Sequence, residues 1–437
     1  MKTQESMPVT KVERSAKFVK TGFQIGGNYL KHYSKKLFNP DLNKEQLNED
    51  NASDIYNSLS ELKGSALKIA QMLSMDKNML PKAYVNKFTQ AQYNAPPLSG
   101  PLIMRTFTKS FGKSPQDIYD TFNIKSAQAA SIGQVHEATL NHKKLAVKIQ
   151  YPGVGDSISS DLKMVKPFAF RLLGMNEKEL NIYIKEVEER LLEETDYDLE
   201  IKRSMEFSKA CKALNNVVFP TYYPELSSSK IITMDWIEGL HLKEFLLTNP
   251  SRELRNKIGQ ALWDFYNFQQ HKIRAVHADP HPGNFLITPD EKLAVIDFGC
   301  IKEIPSDFYN PFFGLVQKDA MTNKAATIKA FRQLEMILPG DTPKQVEFYY
   351  EAYKDMIGLF GKPYTTPVFD FSQEEFFEKL YEYGEKISKM PEFKQARGAK
   401  HFIYINRTNF GLYTILHDLK ATVRTDTYSP EIALPSK

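Results

Sequence analysis

The run His277-Ala-Asp279-Pro-His-Pro-Gly-Asn284, followed by Val295-Ile-Asp297-Phe-Gly299, decides the fold of this chain. It holds an aspartate, an asparagine five residues later, and a second aspartate thirteen residues beyond that. The intervening residues 285–296 form two short apolar runs around a Pro-Asp-Glu turn, which predicts a β-hairpin. Such a hairpin would place the side chains of Asn284 and Asp297 next to each other.

The spacing of these residues is that of two kinase motifs, H-x-D-x-x-x-x-N and D-F-G. Phosphoryl transfer needs one carboxylate near the acceptor, and an amide and a second carboxylate that hold Mg²⁺ against the phosphates of a nucleotide. We therefore assign Asp279 to the catalytic-base position, and Asn284 and Asp297 to the metal and nucleotide. D-F-G alone is a common string, so the assignment depends on both motifs occurring in register across one hairpin.

The composition is that of a globular protein, since 42% of the 437 residues are hydrophobic and 25% are charged. A chain of this length is expected to divide into two or three sub-domains. Its two cysteines, Cys211 and Cys300, have no metal-ligand spacing and predict a reducing compartment. The net charge of +4 is too small to indicate a nucleic-acid partner.

Positive charge is concentrated in residues 1–40, where eight Lys and Arg oppose two acids, a net +6. Apolar residues are interleaved with these charges. The segment is either a basic amphipathic helix that contacts an anionic membrane surface or a disordered basic tail, and the pattern leaves both interpretations open. No apolar run predicts a transmembrane helix or a signal peptide. We expect a cytoplasmic protein, or one held peripherally at the inner membrane.

Four blocks follow from the pattern of breakers and periodicity. They are a basic N-terminal segment (1–44), a helical extension (45–115), a strand-rich block with one long helical insertion (116–240) and a mostly helical block (241–437). The helical pattern from Leu254 to Ile273 leads into the His277–Asn284 segment.

Within the strand-rich block, residues 129–138 predict strand, turn and strand, and residues 145–150 predict an apolar strand that carries Lys148. A lysine in such a strand is costly to bury unless it meets an anion. In kinases this position pairs with phosphates and with a helix glutamate. The acidic helical pattern of residues 186–200 offers that partner. The strand 231–235 then leads into Asp235 and Trp236, where a kinase contacts adenine through its backbone.

Taken together, five motifs resemble the UbiB family of atypical protein-kinase-like proteins (also called ABC1 or ADCK), in its coenzyme Q branch. They are Ala130-Ser-Ile-Gly-Gln-Val-His136, Val147-Lys148, Glu194-Thr-Asp196-Tyr197, His277–Asn284 and Ile296-Asp-Phe-Gly299. The resemblance covers about residues 55–425. It implies an α+β, two-lobed protein-kinase-like fold, with an N-terminal helical extension and a helical insertion in the N-lobe.

The resemblance also implies roles for individual residues. An alanine-rich loop replaces the usual glycine-rich one, so the nucleotide-binding residues there are Ala129, Ala130, Ser131, Ile132, Gly133 and Val135. Alanine disfavours the backbone conformations that glycine permits, which restricts loop closure over phosphates. Lys148 takes the phosphate-lysine role with Glu188 as its partner, Glu189 being the alternative. Glu194 and Asp196 match the family's E-x-D motif.

A further family motif, K-x-G-Q, is thought to cover the active site and exclude a protein-sized substrate. Here it consists of Lys68 and Gln71, with Ala70 in place of the glycine. Residues three apart share one face of a helix, and alanine favours helix more than glycine by up to about 1 kcal/mol. We therefore expect a helix that carries Lys68 and Gln71 on one face.

The function that the resemblance implies is an atypical kinase-like ATPase that uses ATP and Mg²⁺. It would support isoprenoid-quinone (ubiquinone or menaquinone) biosynthesis or lipid metabolism at the membrane. Quinone-biosynthesis enzymes or isoprenoid lipid intermediates would be its partners, and no nucleic acid is expected. Two alternatives stay open, a phosphotransferase acting on a protein or small molecule and a non-catalytic kinase-like scaffold.

Overall fold

A computed structural model of the chain describes residues 11–38, 45–62, 66, 68, 82–89, 98–129, 132–173, 177–394 and 397–430. It combines separate runs of helices with mainly antiparallel sheets, which confirms the predicted α+β class. The chain forms two compact units, Met1–Lys202 with Thr221–Trp236, and Arg203–Pro220 with Ile237–Lys437. The sequence blocks place a boundary at 240/241, whereas the structure divides the chain at 236/237 and also assigns residues 203–220 to the second unit.

The first unit combines helices with a five-stranded sheet. Its helices are α1 (Lys11–Phe38), α2 (Glu45–Leu62), α3 (Lys82–Thr89), α4 (Gly100–Phe111), α5 (Val154–Leu173), α6 (Glu177–Thr195) and α7 (Tyr197–Ala210), the last of which continues into the second unit. Its strands are β1 (Thr121–Phe122), β2 (Gln128–Ala129), β3 (Gly133–Leu140), β4 (Lys143–Gln150) and β6 (Ile231–Asp235). The strand order is β1-β3-β4-β6, and β2 pairs with β3.

Strand β4 is central in this sheet, with antiparallel neighbours on both sides. Its last six residues, from Leu145 to Gln150, are all buried, which explains why apolar residues occur on both faces of the strand rather than at alternate positions. Helix α4 covers the sheet with the buried side chains of Ile103 and Phe107. The predicted strand-turn-strand of residues 129–138 is β2 and β3, with Ala129 opposite Gln134.

The predicted helical insertion is present and consists of three helices. Helices α5 and α6 pack against each other, and α7 begins after a break at Asp196. A second apolar cluster joins α5 and α6 to the N-terminal helices through residues such as Leu59, Leu162 and Leu191. Residues 11–38 are helical, so of the two interpretations of the basic N-terminal segment the structure supports the helix.

The second unit is mostly helical, as predicted. Its further helices are α8 (Leu242–Leu247), α9 (Arg252–Phe268), α10 (Ser306–Leu315), α11 (Lys324–Gln333), α12 (Pro343–Phe360), α13 (Glu374–Ser388) and α14 (Phe402–Asp418). Its strands are β5 (Val217–Val218), β7 (Leu240–His241), β8 (Ala275–His277), β9 (Phe285–Ile287), β10 (Leu293–Val295), β11 (Ile301–Glu303), β12 (Val368–Asp370) and β13 (Thr422–Arg424). The helix predicted over 254–273 is α9 followed by a π-helical turn, Gln269–Ile273.

No helix in the part of the chain that the structure describes is both long enough and apolar enough to cross a membrane.

A buried ion pair fixes α1 to α5 and provides a test of the first unit. The Nε atom of Arg14 lies 2.7 Å from Oδ1 of Asp161, and both side chains are almost fully buried. Removing one partner leaves a buried charge uncompensated, at a cost of about 3–5 kcal/mol. We expect Asp161→Ala to accelerate hydrogen exchange of the α1 amides by about a hundredfold or more.

The exposed ion pair between Lys17 on α1 and Glu61 on α2 is the control. Because exposed pairs contribute little, Glu61→Ala should leave α1 exchange nearly unchanged. Equal exchange rates in the two variants, measured by mass spectrometry, would show that the buried pair does not hold α1.

Candidate functional site

Lys148 occupies the middle of strand β4, opposite Val135 on one side and Ile232 on the other. Its side chain is about nine-tenths buried, and Nζ lies 2.7 Å from Oε1 of Glu200. The ammonium also lies 5.2 Å from the centre of the Tyr197 ring. The structure therefore gives the lysine the buried anionic partner that its position in an apolar strand requires.

That partner is Glu200, so the assignment of Glu188, or of Glu189, to this role was wrong. The sequence interpretation treated residues 186–200 as one acidic helix, on which several carboxylates share a face. In the structure α6 ends at Thr195 and α7 begins at Tyr197. Glu188 is half-buried on α6, whereas Glu200 is buried in the first turns of α7.

Asp196 is the residue that separates the two helices. Its Oδ1 accepts a hydrogen bond from the amide of Leu199 at 3.0 Å, which is the geometry of a helix N-cap. Its own carbonyl accepts from the amide of Glu200 at 3.0 Å. Asp196 is exposed, and what the structure shows for it is that it starts the helix on which Glu200 lies. An Asp-Tyr-Asp-Leu-Glu string is an N-cap signal that could have located this helix start from sequence.

Glu194, the other acid of the E-x-D motif, lies among cations. Its Oε1 is 3.0 Å from Nζ of Lys68 and 3.6 Å from Nε of Arg190. All three side chains are largely buried. The structure thus brings the lysine of the N-terminal motif to the E-x-D motif, whereas Ala70 and Gln71 lie outside the described residues.

Gly133 and Tyr197 fit together tightly at the start of β3. A Cβ added at Gly133 would lie 2.6 Å from the carbonyl oxygen of Ile149 and 3.0 Å from the Tyr197 hydroxyl. Any side chain there would separate β3 from β4 or displace α7. Glycine at this position therefore serves close packing next to Lys148.

Of the alanine-rich loop, the structure describes Ala129 in β2 and Ile132, Gly133 and Val135 near and in β3, but not Ala130 or Ser131. Ile132 is buried in the apolar cluster of the sheet. Its carbonyl accepts a hydrogen bond from the amide of Tyr151 at 2.9 Å. The chain is thus anchored to the sheet at Ile132.

Gln134 and His136 in β3 are buried and form a polar chain. The Gln134 amide contacts Nε2 of His136 at 3.0 Å, and Nδ1 of His136 lies 2.9 Å from the carbonyl oxygen of Asn123. Oε1 of Gln134 accepts from the amide of Leu98 at 2.8 Å. Burial lowers the pKa of His136 below its usual value, so the ring is neutral at physiological pH. Gln134 and His136 thus connect strand β3 to the backbone at Leu98 and at Asn123.

Asp235 and Trp236, predicted to contact adenine, have their backbone amides already engaged. The amide of Asp235 donates to Thr221 and that of Trp236 donates to Lys144. The Asp235 carboxylate accepts from the Tyr223 hydroxyl at 2.7 Å and from the amide of Thr221 at 3.1 Å. These hydrogen bonds hold the pKa of Asp235 below its usual value, although burial opposes them. Neither amide N–H can therefore serve as an adenine donor without breaking a bond in this unit.

In the second unit the predicted hairpin is present. Strands β9 and β10 pair with Phe285 opposite Val295, and the amide of Ile296 donates to the carbonyl of Asn284 at 3.0 Å. The register therefore continues past the strands and brings Asn284 beside the segment that holds Asp297. This local pairing confirms the hairpin inferred from the two apolar runs and the turn between them.

The side chains of this loop are oriented by short-range hydrogen bonds. Nδ2 of Asn284 donates to the carbonyl of Asp279 at 2.9 Å, which leaves the amide oxygen as the atom suited to bind a cation. One carboxylate oxygen of Asp297 accepts from the amide of Gly299 at 2.8 Å. Nδ1 of His281 accepts from the amide of Gly283 at 3.0 Å. Asp279 itself is half-buried.

Among the described residues, no three His, Cys, Asp or Glu side chains converge on a position that a metal ion would fit. Asn284 and Asp297 would thus form only part of a coordination shell. Mg²⁺ is commonly held in this way, by one or two protein oxygens, with water and phosphate oxygens completing its octahedron. The donor types present therefore fit Mg²⁺ bound with a nucleotide better than a dedicated protein cage.

Three residues near the loop make contacts that the sequence pattern did not indicate, the first of them the phenylalanine of the D-F-G motif. Phe298 is fully buried and packs against His277 and Phe207, with ring-centre distances of 5.8 Å in both cases. Tyr266 on α9 is also buried. Burial raises the pKa of its phenol well above the usual value, and the nearby Asp279 carboxylate raises it further. Tyr266 is therefore a protonated hydroxyl close to the catalytic-base position.

The third is Gly411 on α14, which approaches the loop very closely. A Cβ at Gly411 would lie 2.3 Å from Cγ and 2.8 Å from Cβ of Pro280, the residue that follows Asp279. Only glycine allows α14 to lie this near to the loop. Nothing in the linear pattern indicates the contact, because the two residues are far apart in the sequence.

Comparisons with known proteins match the chain to one family. A family model described as the ABC1 atypical kinase-like domain matches residues 90–331, more than half of the chain. The chain is 25% identical over 389 residues to "Atypical kinase COQ8B, mitochondrial" of Danio rerio, covering 86% of this chain and 61% of that protein. It therefore spans about three fifths of that relative's length.

Two further similarities extend over most of the chain. "Probable serine/threonine-protein kinase abkA" of Dictyostelium discoideum is 25% identical over 450 residues, covering 96% of this chain and 78% of that protein. Rv3197 of Mycobacterium tuberculosis, solved in complex with erythromycin, superposes with a TM-score of 0.59 at 24% identity. That alignment covers 89% of this chain and 98% of the solved one, and it shows similarity of fold.

The Lys148 pairing yields a matched comparison of two glutamates. We expect Glu200→Gln to weaken nucleotide binding about tenfold or more, because the buried ammonium loses its counter-charge and its fixed position. Glu188→Gln should bind like the unaltered chain. Nucleotide titration of both variants, with circular dichroism to verify folding, makes the comparison. If both variants lost nucleotide affinity equally, Glu188 would again be a candidate for the partner of Lys148.

The Gly411 contact predicts a positioning effect. Gly411→Ala must displace Pro280, and with it Asp279, so we expect turnover to fall by about tenfold or more with little change in nucleotide affinity. Combining it with Pro280→Gly, which removes the clashing atoms, should recover part of the loss. Steady-state kinetics on both variants and on Pro280→Gly alone provide the measurement. No recovery in the double variant would mean that the clash is not the cause.

Proposed function

Because this chain belongs to the ABC1 atypical kinase-like family, we propose that it is an ATPase that binds ATP with Mg²⁺ and acts in isoprenoid-quinone biosynthesis or lipid metabolism at a membrane. The observation that carries the proposal is the hairpin in which the Ile296–Asn284 backbone bond keeps Asn284 beside the Asp297 segment. A pair of oxygen donors with this spacing has a clear chemical use in holding a cation against phosphates.

Each residue has a role in this proposal that follows from its surroundings. Lys148 neutralises phosphate charge, and Glu200 holds its ammonium in place. Asn284 and Asp297 would bind Mg²⁺, which screens the phosphates and the charge that develops during their cleavage. Asp279 occupies the position from which a carboxylate orients the attacking hydroxyl or water.

Hydrolysis is favoured over protein phosphorylation by the N-terminal motif. Lys68 lies 3.0 Å from Glu194, so the helical extension contacts the same part of the unit as the E-x-D acid. A segment held there by a largely buried ion pair would exclude a protein-sized acceptor. The alternative of a phosphotransferase gains support only from the retained Asp279, which a simple ATPase needs less.

The quinone or lipid pathway rests on the similarity of the motifs to the coenzyme Q branch of the family. The described part of the chain contains the phosphate lysine, the metal donors and the E-x-D acids, which a pure scaffold would not need. Quinone-biosynthesis enzymes or isoprenoid lipid intermediates are therefore the partners we propose. Profiling of quinones and their precursors in cells that lack the protein would test this part.

The central prediction concerns Asp297. Asp297→Asn removes the charge of one metal ligand while preserving its size, so we expect affinity for ATP in Mg²⁺ to fall about tenfold or more. Without Mg²⁺ the variant and the unaltered chain should bind ATP alike. Calorimetric titrations with Mg²⁺ and with a chelator measure both values, and complementation with the same variant should fail to restore quinone levels.

Asp290 provides the control, because it lies in the exposed turn of the same hairpin and accepts a hydrogen bond from Thr288 at 2.6 Å. Asp290→Asn should bind ATP normally in Mg²⁺. Full ATP affinity in Asp297→Asn would contradict the metal assignment. Full quinone restoration by that variant would instead favour the scaffold.

A further inference from the structure

Helix α1 has its polarity reversed relative to an ordinary surface helix. The side of α1 that faces the rest of the unit carries Arg14, Thr21 and His32, all of them buried. The side that faces solvent carries Val19, Phe23, Leu30 and Tyr33, whose exposed fractions are 59%, 78%, 73% and 51%. Surface helices of globular proteins usually bury their apolar face and expose the polar one.

Several polar residues on the inward side of α1 have hydrogen-bond partners within the unit. Arg14 forms its ion pair with Asp161 and donates to the carbonyl of Leu62 at 2.9 Å. The hydroxyl of Thr21 contacts that of Ser58, and the amide of Asn28 donates to Asp54 at 2.8 Å. Ile25 packs against the apolar cluster of the unit, and these polar contacts fix the rotation of α1, so the apolar residues on its opposite side cannot turn inward. Their exposure is a consequence of the fold.

The four exposed apolar residues Val19, Phe23, Leu30 and Tyr33 lie in one row along the helix, with Gly26 between Phe23 and Leu30. We call these five residues the outer stripe. They are separated by four, three, four and three positions, which keeps them on one side of a helix. Gly26 interrupts the row, and a Cβ there or at Gly27 would have no heavy atom within 4 Å. Neither glycine is therefore needed for packing within this unit.

Positive charge accompanies the outer stripe. Helix α1 contains seven Lys and Arg and one Glu, a net charge of +6 by subtraction. Lys20, Lys31 and Lys35 are exposed, and the rotation of about 100° per residue places Lys20 and Lys31 beside the stripe. An apolar row flanked by lysines is suited to a surface that is apolar inside and negatively charged outside.

We propose that the outer stripe of α1 docks this chain on an anionic lipid bilayer, with the apolar side chains inserted among the acyl chains and the lysines at the headgroups. This inference rests on the proposed function at a membrane and names the surface that would contact the lipid. None of the residues proposed to bind nucleotide lies on that surface. A second copy of this chain is a poorer occupant, because pairing two helices of charge +6 would be opposed by their repulsion.

The test is co-flotation of the full-length protein with vesicles, in the absence of nucleotide. Vesicles of phosphatidylcholine alone are compared with vesicles containing about one third phosphatidylglycerol. We expect binding to the anionic vesicles that weakens as salt is raised, and little binding to the neutral ones. Phe23→Ser with Leu30→Ser should reduce binding about tenfold or more, since two inserted side chains are lost. Lys20→Gln with Lys31→Gln should reduce binding mainly at low salt.

Two control variants make the result specific. Leu247→Ser removes an equally exposed leucine, 74% accessible, from α8 in the other unit, and should bind vesicles like the unaltered protein. Gly26→Ala should leave vesicle binding intact, because a methyl group added to the stripe remains compatible with lipid. Circular dichroism and ATP titration of each variant separate misfolding from loss of the surface.

The proposal is overturned if the Phe23/Leu30 variant floats with anionic vesicles as the unaltered protein does, or if no binding to anionic vesicles occurs. It is also overturned if sedimentation shows a dimer that Gly26→Ala dissociates, which would mean that a second helix approaches closely at the glycine. ATP affinity is measured in the same preparations. If the unaltered protein bound ATP but not anionic vesicles, this surface would be refuted and the proposed nucleotide chemistry would still stand.

Discussion

A lysine buried in the central strand of a sheet must have a counter-charge, and the first unit is organised around that requirement. Glu200 supplies it at 2.7 Å, and the position of Glu200 depends on a helix that starts at the Asp196 cap. Tyr197 fills the space beneath the ammonium and is accommodated because residue 133 is glycine. Loss of Glu200 would leave the Lys148 ammonium without its buried counter-charge, which is among the most costly defects a fold can carry.

In the second unit the main constraint is the placement of two side chains with oxygen donors, Asn284 and Asp297. Residues close to them in the sequence achieve this placement. A short hairpin brings Asn284 beside the segment that holds Asp297, and hydrogen bonds with neighbouring backbone groups orient both side chains. Side chains and a helix of the same unit pack against this loop. Phe298 packs against His277, and α14 presses on Pro280 at Gly411. Precise donor placement thus needs little of the chain, whereas keeping it rigid needs much of the unit.

Helix α1 contacts the rest of its unit through polar residues, which leaves its apolar side exposed to solvent. The pairs Arg14–Asp161 and Asn28–Asp54 determine which side of α1 points inward. Burying a charge pair fixes orientation more strictly than apolar contacts do, since a small rotation breaks its hydrogen bonds. Lys68 on Glu194 ties the next part of the extension to the E-x-D motif in the same way.

The sequence by itself determined the features that depend on neighbours along the chain. These are the hairpin, the apolar strand around Lys148 and the helix before the His277–Asn284 segment. The motifs also indicated the family to which the chain belongs. Only the tertiary structure decided which glutamate meets Lys148, because Glu188, Glu189 and Glu200 all fit an acidic helical pattern and a break at Asp196 selects among them. It alone revealed Gly411 against Pro280 and the outward apolar face of α1. Contacts between distant segments and the rotation of a helix are set by packing, which no linear pattern encodes.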